Sequence, residues 1–198
     1  MGTIRLDMTM SLDGYVTGPH DGPDEPMGVG GFRLFNWLDR REDPGPSGEV
    51  YAELLATRAL ISGRRTYKHA GHWNGDHHDG VPILVLTHDV PDDPPPGTVR
   101  FVTDVAECAA LAREVVGDGV AMVHGAGAAQ SLLGAGELDE LDLHVVPVLL
   151  GSGRRLLDHL PAEHVELDLV RQMRTPDAED PDRQVLHLRY RVKSPTRR

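Results

Sequence analysis

Two short segments hold the residue types best suited to chemistry. Gly63-Arg64-Arg65-Thr66 and Gly125-Ala126-Gly127-Ala128 each follow a brief apolar run and each open a helical stretch. A strand that enters a helix through glycine gathers free backbone N–H groups and the positive end of the helix dipole at one point. Such a point suits an anion, and the usual biological anion is a phosphate or pyrophosphate. Absent side chains at Gly125 and Gly127 let a ligand lie on the backbone itself. Arg64 and Arg65 add planar guanidinium forks that match phosphate oxygens. Cations at a helix N-terminus oppose the dipole, so they are poorly placed unless an anion joins them. Each segment also has an ordinary explanation. The G-x-G-x-x-Q run ending at Gln130 lacks the full dinucleotide fingerprint and comes late in the chain, and a basic helix start can simply be solvated.

His124 stands at the C-terminal end of a strand beside the second glycine turn, where an imidazole can donate a proton near neutral pH or serve only as a structural side chain. Asp13, in Ser11-Leu-Asp-Gly14, has ordinary turn chemistry and a position at the mouth of the expected cleft, so a catalytic, substrate-holding or loop-ordering role is open to it. Trp37 fits the core or a stacking platform for a substrate. Glu49 and Glu53 lie on a helix from which a carboxylate can reach a substrate. His69, His72, His77 and His78, with Asp76 and Asp79, match no standard metal spacing, so no metal is expected.

The elements that position these groups follow from periodicity. Ile4 to Met10 alternates as a strand and opens into a Gly/Pro/Asp-rich loop, Ser11 to Gly31, long enough to be a lid. Ser47 is expected to cap a helix from Gly48 to about Thr57. Ala59 to Ser62, Val81 to Thr87 and Val99 to Val102 read as strands, the second apolar enough for burial on both faces. Asp104 and Glu107 form a capping box for a helix ending at Gly117. Val120 to Val123 is a strand, and Ala128 to Leu133 a short helix after the glycine turn. Leu141 to Leu150 reads as one long strand with Pro147 inside it, hence bulged or at an edge. Val165 to Arg174 and Gln184 to Val192 form an antiparallel pair. The expectation is one α/β domain over residues 1–193, a mixed sheet of about eight strands with about four helices, and a frayed tail at 194–198.

Composition narrows the function. Twenty basic against 31 acidic residues give a formal charge of −11, which argues against nucleic acid or an anionic membrane as partner. Any phosphate must therefore be met by a local arginine cluster. The lone Cys108 cannot form an intrachain disulfide and falls in a helix's apolar pattern. No apolar run approaches ~18 residues, so a cytoplasmic protein is expected.

SLDG after the first strand, GRRTY, VLTHD, the turn at Gly125, LDELDLHVVPVLLGSGRRL and a final HLRYRV occur here in one order. In that order the chain resembles the dihydrofolate-reductase-like superfamily, and most closely the reductase (C-terminal) domain of the riboflavin-biosynthesis deaminase–reductase. The resemblance implies an eight-stranded mixed, mostly parallel sheet, NADPH as hydride donor and a homodimer. It implies that Gly63, Arg64, Arg65 and Thr66 hold cofactor phosphates, and that Thr87 borders the adenosine 2′-phosphate. Gly125, Ala126, Gly127 and Ala128 would carry the pyrophosphate, while the backbone at Thr9 and Val16 would face the nicotinamide. Asp7 stands where that family carries a lysine, and His124 where it carries a glutamate. The implied activity is reduction of a small heteroaromatic or imine-like substrate, like the 5-amino-6-(5-phosphoribosylamino)uracil reductase domain. A cofactor-binding domain without turnover and a pterin or dihydrofolate reductase are the alternatives.

Overall fold

The computed structural model describes residues 2–92, 98–160, 164–175 and 180–193. The tail at 194–198 and most of the proline linker before Val99 lie outside the described residues. Strand β1 (Thr3–Ser11) is followed by β2 (Tyr15–Thr17), a 3₁₀ segment (Gly31–Arg40), helix α1 (Pro46–Leu55), β3 (Ala59–Gly63) and helix α2 (Arg64–His69). Then come β4 (Ile83–Leu86), β5 (Val99–Val102), α3 (Val105–Val116), β6 (Val120–His124) and α4 (Ala126–Gly134). The chain closes with β7 (Glu140–Val146), β8 (Arg154–Arg155), β9 (Leu167–Arg174) and β10 (Leu186–Val192).

Eight strands form one sheet in the order β5-β4-β3-β6-β1-β7-β10-β9, and β2 with β8 makes a separate ribbon. Pairing is parallel from β5 to β7 and antiparallel at β7–β10 and β10–β9. The expected architecture, a mostly parallel mixed sheet with four helices and a C-terminal antiparallel pair, is the one observed. Period-two alternation divides β1 between two layers. Ile4 and Leu6 join Ala112 and Val116 of α3 and Leu132 of α4 in the main core. Arg5, Asp7 and Thr9 alternate with them and are buried too, as alternation requires, on the opposite face. Cys108 is buried in the main core, and burial pushes its thiol up to about 12, so it packs as a small hydrophobe.

Local chemistry explains where the elements begin and end. Asp104 caps α3 by accepting the Glu107 N–H at 2.8 Å, as the capping box predicts. Helix α1 starts at Pro46, whose missing N–H is harmless in a first turn. Ser47 is therefore not its cap: it lies inside the helix, buried, with Oγ 3.3 Å from His187 Nε2. The strand expected over Leu141 to Leu150 stops at Val146, because Pro147 offers no N–H to a ladder. It is not an edge either, since β1 and β10 flank it. The second glycine turn is tighter than expected. Helix α4 already runs from Ala126, with Gly125 as its N-cap at φ 102°.

Candidate active site

Strands β3 and β6 are parallel neighbours, and Ser62 pairs with His124. The two glycine junctions therefore leave the sheet side by side. Thr66, in the first turn of α2, packs on Gly125 so closely that a Cβ there would stand 3.0 Å from the Thr66 Cβ. A Cβ at Gly63 would meet the Ala128 backbone nitrogen at 3.6 Å. Both junctions open into one cleft of about 410 Å³ lined by Gly63, Arg64, Arg65, Thr66, Thr87 and the Ala126–Ala128 backbone. An adjoining hollow of about 330 Å³ shares Ala126, Gly127 and Arg154. No side chain caps the start of α4, and nothing lies within 4 Å of where a Cβ on Gly127 would be. Uncapped amides under open backbone are the makings of an anion cradle.

The two arginines already face anions, and those anions are carboxylates. Arg64 Nη1 lies 2.5 Å from Asp89 Oδ2. Arg65 forks onto Asp21 Oδ2 through Nε at 3.1 Å and Nη2 at 2.8 Å, with Arg154 Nε at 3.6 Å from the same oxygen. The guanidiniums are one-third to one-half exposed, and such pairs contribute about 1 kcal/mol or less. A phosphate can therefore replace the carboxylates at small cost. Thr87 closes the far end, exchanging hydrogen bonds with the backbone of Asp89.

Behind the cleft, four adjacent strands place titratable side chains in one row. His187 Nδ1 of β10 lies 2.9 Å from His144 Nδ1 of β7. His144 Nε2 is 3.4 Å from Asp7 Oδ1 of β1, and His124 Nε2 of β6 is 3.8 Å from the same oxygen. Burial alone would push the Asp7 carboxyl up, but His144, His124 and Arg5 around it outweigh that and hold it at about 2. Burial pushes His187 down to about 3, with His144 adding to the effect, and lowers His124 as well. At neutral pH the row thus contains an ionised aspartate and neutral rings at 187 and 124. Trp37 covers one end, its ring 5.0 Å from those of His144 and His187. Trp73 and His77 cover the other, with ring centres 6.4 and 5.2 Å from His124. Trp73 sits in a left-handed turn in which all five residues from Gly71 to Gly75 have positive φ.

Not every residue singled out by sequence arrives at this place. Glu49 is exposed on α1, because the helix turns Ser47 and Val50 inward. It reaches no part of the cleft. Glu53, one turn on, is held by Arg171 at 2.6 Å and Arg189 at 2.6 Å. Trp37 is buried, donating Nε1–H to Thr9 Oγ1 at 3.1 Å, so it packs as core rather than as an open platform. Thr9 and Val16 are buried as well and do not line the cleft. Asp13 has both oxygens engaged: Oδ1 accepts from the Ser11 hydroxyl at 2.6 Å and Leu150 N–H at 3.1 Å, and Oδ2 from Gly151 N–H at 2.8 Å. Those bonds, that of Ser11 above all, hold its carboxyl below the usual range. It ties the loop after β1 to the turn before β8 and has no proton to give. Asp21, Arg154, His144 and His187 were missed. The last two carried a signal, since each alternates with leucines or valines in a strand, where a polar inward residue calls for a partner.

The sheet order and the paired junctions define a dihydrofolate-reductase-like fold. The chain belongs to the RibD C-terminal domain family, whose model matches residues 2–177. A protein from Shewanella sp. PV-4 assigned provisionally to riboflavin biosynthesis is similar in structure, with a TM-score of 0.70 at 20% identity, covering 98% of this chain and 100% of that one. Dihydrofolate reductase from Enterococcus faecalis, complexed with NADP(H) and RAB-propyl, has a TM-score of 0.65 at 16% identity and 98% coverage of both chains. Among curated proteins, none matches the chain by sequence. No described helix is long and apolar enough to cross a membrane.

Proposed function

We propose that the protein is an NADPH-dependent reductase acting on a small heteroaromatic or imine-like substrate. One observation carries this: two strand-to-helix junctions, with uncapped amides and Arg64, Arg65 and Arg154 about them, share a single cleft. The cradle fits a dinucleotide. The Ala126–Ala128 amides would take the diphosphate, Arg65 and Arg154 would neutralise it, and Arg64 beside Thr87 would meet the extra phosphate that separates NADPH from NADH. The E. faecalis relative, which is complexed with NADP(H), supports the same choice. When bound, the nicotinamide supplies the hydride. The chain's own part is to orient the partners, exclude water and manage charge. His124, directly before the Gly125 turn and behind the residues that line the cleft, would be the side chain that meets the substrate. Calorimetry with NADPH tests the proposal. Tight binding is expected for the wild type, weakened at least tenfold in Arg64→Ala/Arg65→Ala. Unchanged affinity in that variant would overturn the assignment.

A second function, cofactor binding without turnover, is favoured by one feature: Trp37, Trp73 and His77 cover the row that holds Asp7 and His124. Brisk NADPH oxidation with any pterin or pyrimidine would eliminate it.

A further inference from the structure

We propose that Asp7 is the positioning residue of His124: it faces the Nε2–H of that ring and leaves Nδ1 as a bare acceptor for the substrate. This rests on the reductase assignment for its chemistry, though not for its geometry.

His124 Nε2 is enclosed and has no hydrogen-bond partner, although about a fifth of the side chain is exposed. Its neighbour is Asp7 Oδ1 at 3.8 Å. That is too long for a formed hydrogen bond, but the sign of the interaction is settled by charge. A lone pair on Nε2 would point at an ionised carboxylate and be repelled, whereas an N–H is attracted. A neutral imidazole carries one N–H, so Nδ1 is left without hydrogen. Nε2 is enclosed without a partner, whereas Nδ1, which makes no hydrogen bond to the described residues either, is not among the enclosed unpartnered atoms, so Nδ1 is the ring nitrogen open to a ligand.

The rest of the row supports the same polarity. Two Nδ1 atoms 2.9 Å apart, on His187 and His144, must share one hydrogen. One arrangement gives every facing pair a hydrogen. Ser47 Oγ–H donates to His187 Nε2, His187 Nδ1–H to His144 Nδ1, and His144 Nε2–H to Asp7. Asp7 thus accepts from His144 and is faced by the His124 N–H on its other side. The other groups bearing on the pair are Arg5 near Asp7, which holds the carboxylate ionised, and His78, which with His144 disfavours a charged His124. His77 packs against the His124 ring and is itself pushed down to about 3, by burial first and then by His124 and His78.

A bare Nδ1 recognises a donor, and within the substrate class proposed above a protonated imine presents one. In that reaction hydride adds to carbon and NADPH becomes NADP⁺. The C=N π pair moves onto nitrogen, and the N–H proton remains with the product. His124 accepts that N–H throughout, and no further proton is needed.

Imidazole ¹⁵N NMR of the full chain without NADPH tests this, with the signal of His124 assigned by its loss in His124→Gln. At neutral pH the expected spectrum shows hydrogen on Nε2 and none on Nδ1. Asp7→Asn removes the charge, so the Nε2–H population should fall and Nδ1–H appear. Hydrogen on Nδ1 in the wild type would overturn the proposal, as would an unchanged tautomer in Asp7→Asn or a metal bound at Nε2. If Asp7→Asn fails to fold, the wild-type tautomer alone decides. Since NADPH is absent, this result is independent of whether the cofactor assignment stands.

Discussion

Replacing Gly125 by alanine should be among the costliest single-methyl changes in the molecule. The residue sits at φ 102° and ψ 137°, a region that L side chains rarely adopt, and forcing one there costs about 1–3 kcal/mol. The added Cβ would also press on the Thr66 hydroxyl and lie 3.0 Å from the Thr66 Cβ. Overpacking of this kind costs about 1–3 kcal/mol more. Gly125→Ala should therefore lose roughly 2–6 kcal/mol, which lowers the midpoint of thermal unfolding on the order of 10 °C in a domain of this size. The two causes can be separated. Thr66→Ala in the same background removes the hydroxyl and methyl and should restore about half the loss, leaving the backbone share. Denaturant unfolding of the wild type, both single variants and the double variant measures this. A Gly125→Ala protein within about 0.5 kcal/mol of wild type would show that the two junctions are not packed together as described.

Gly127→Ala is the opposite case: the position is open and helical, so it should gain about 0.5–1 kcal/mol while weakening NADPH in calorimetry, because the methyl covers the backbone that would carry the diphosphate. Stability should fall as pH drops from about 6.5 toward 3, since His187 and His77 take up protons in the unfolded chain while burial keeps them neutral in the fold. Asp7, held at about 2, adds a loss between about pH 4 and 2. His187→Gln should flatten the first part of that profile in pH-resolved melts. Arg189→Ala breaks the ion pairs with Asp142 and Glu53 and should cost about 3 kcal/mol by leaving buried carboxylate charge behind. A loss under about 1 kcal/mol would mean that Arg5, 3.2 Å from Asp142, suffices alone.

Much of the fold could be read from local signals because those signals were strong. Alternation in β1, the capping box at Asp104 and the apolar run ending at Leu86 each specify an element without help from elsewhere. Pro147 was harder. Periodicity ran on through it to Leu150, and only the demands of a ladder with strands on both sides ended β7 at Val146. Ser47 shows the same limit, since a serine before a helical pattern looks like a cap until Pro46 takes the first turn and a histidine 140 residues away claims the hydroxyl. The cleft was legible as two junctions expected at adjacent sheet ends, and the pairing of β3 with β6 sets them side by side. Asp21 and Arg154 could not be assigned, because Asp21 belongs to a loop and Arg154 to a two-residue strand paired with β2, and the place of both is set by long-range contacts. The buried row was visible only as an isolated Asp7 and His124. Its meaning lies across strands, where sequence spacing carries no information about which imidazole faces which carboxylate.

The most direct measurement of the central claim is a crystal structure of the protein soaked or grown with NADPH. The coenzyme diphosphate should lie within hydrogen-bond distance of the Ala126, Gly127 and Ala128 amides, with Arg65 turned from Asp21 toward a phosphate oxygen. A coenzyme bound elsewhere, with both junctions left to solvent and Arg65 still forked onto Asp21, would contradict it.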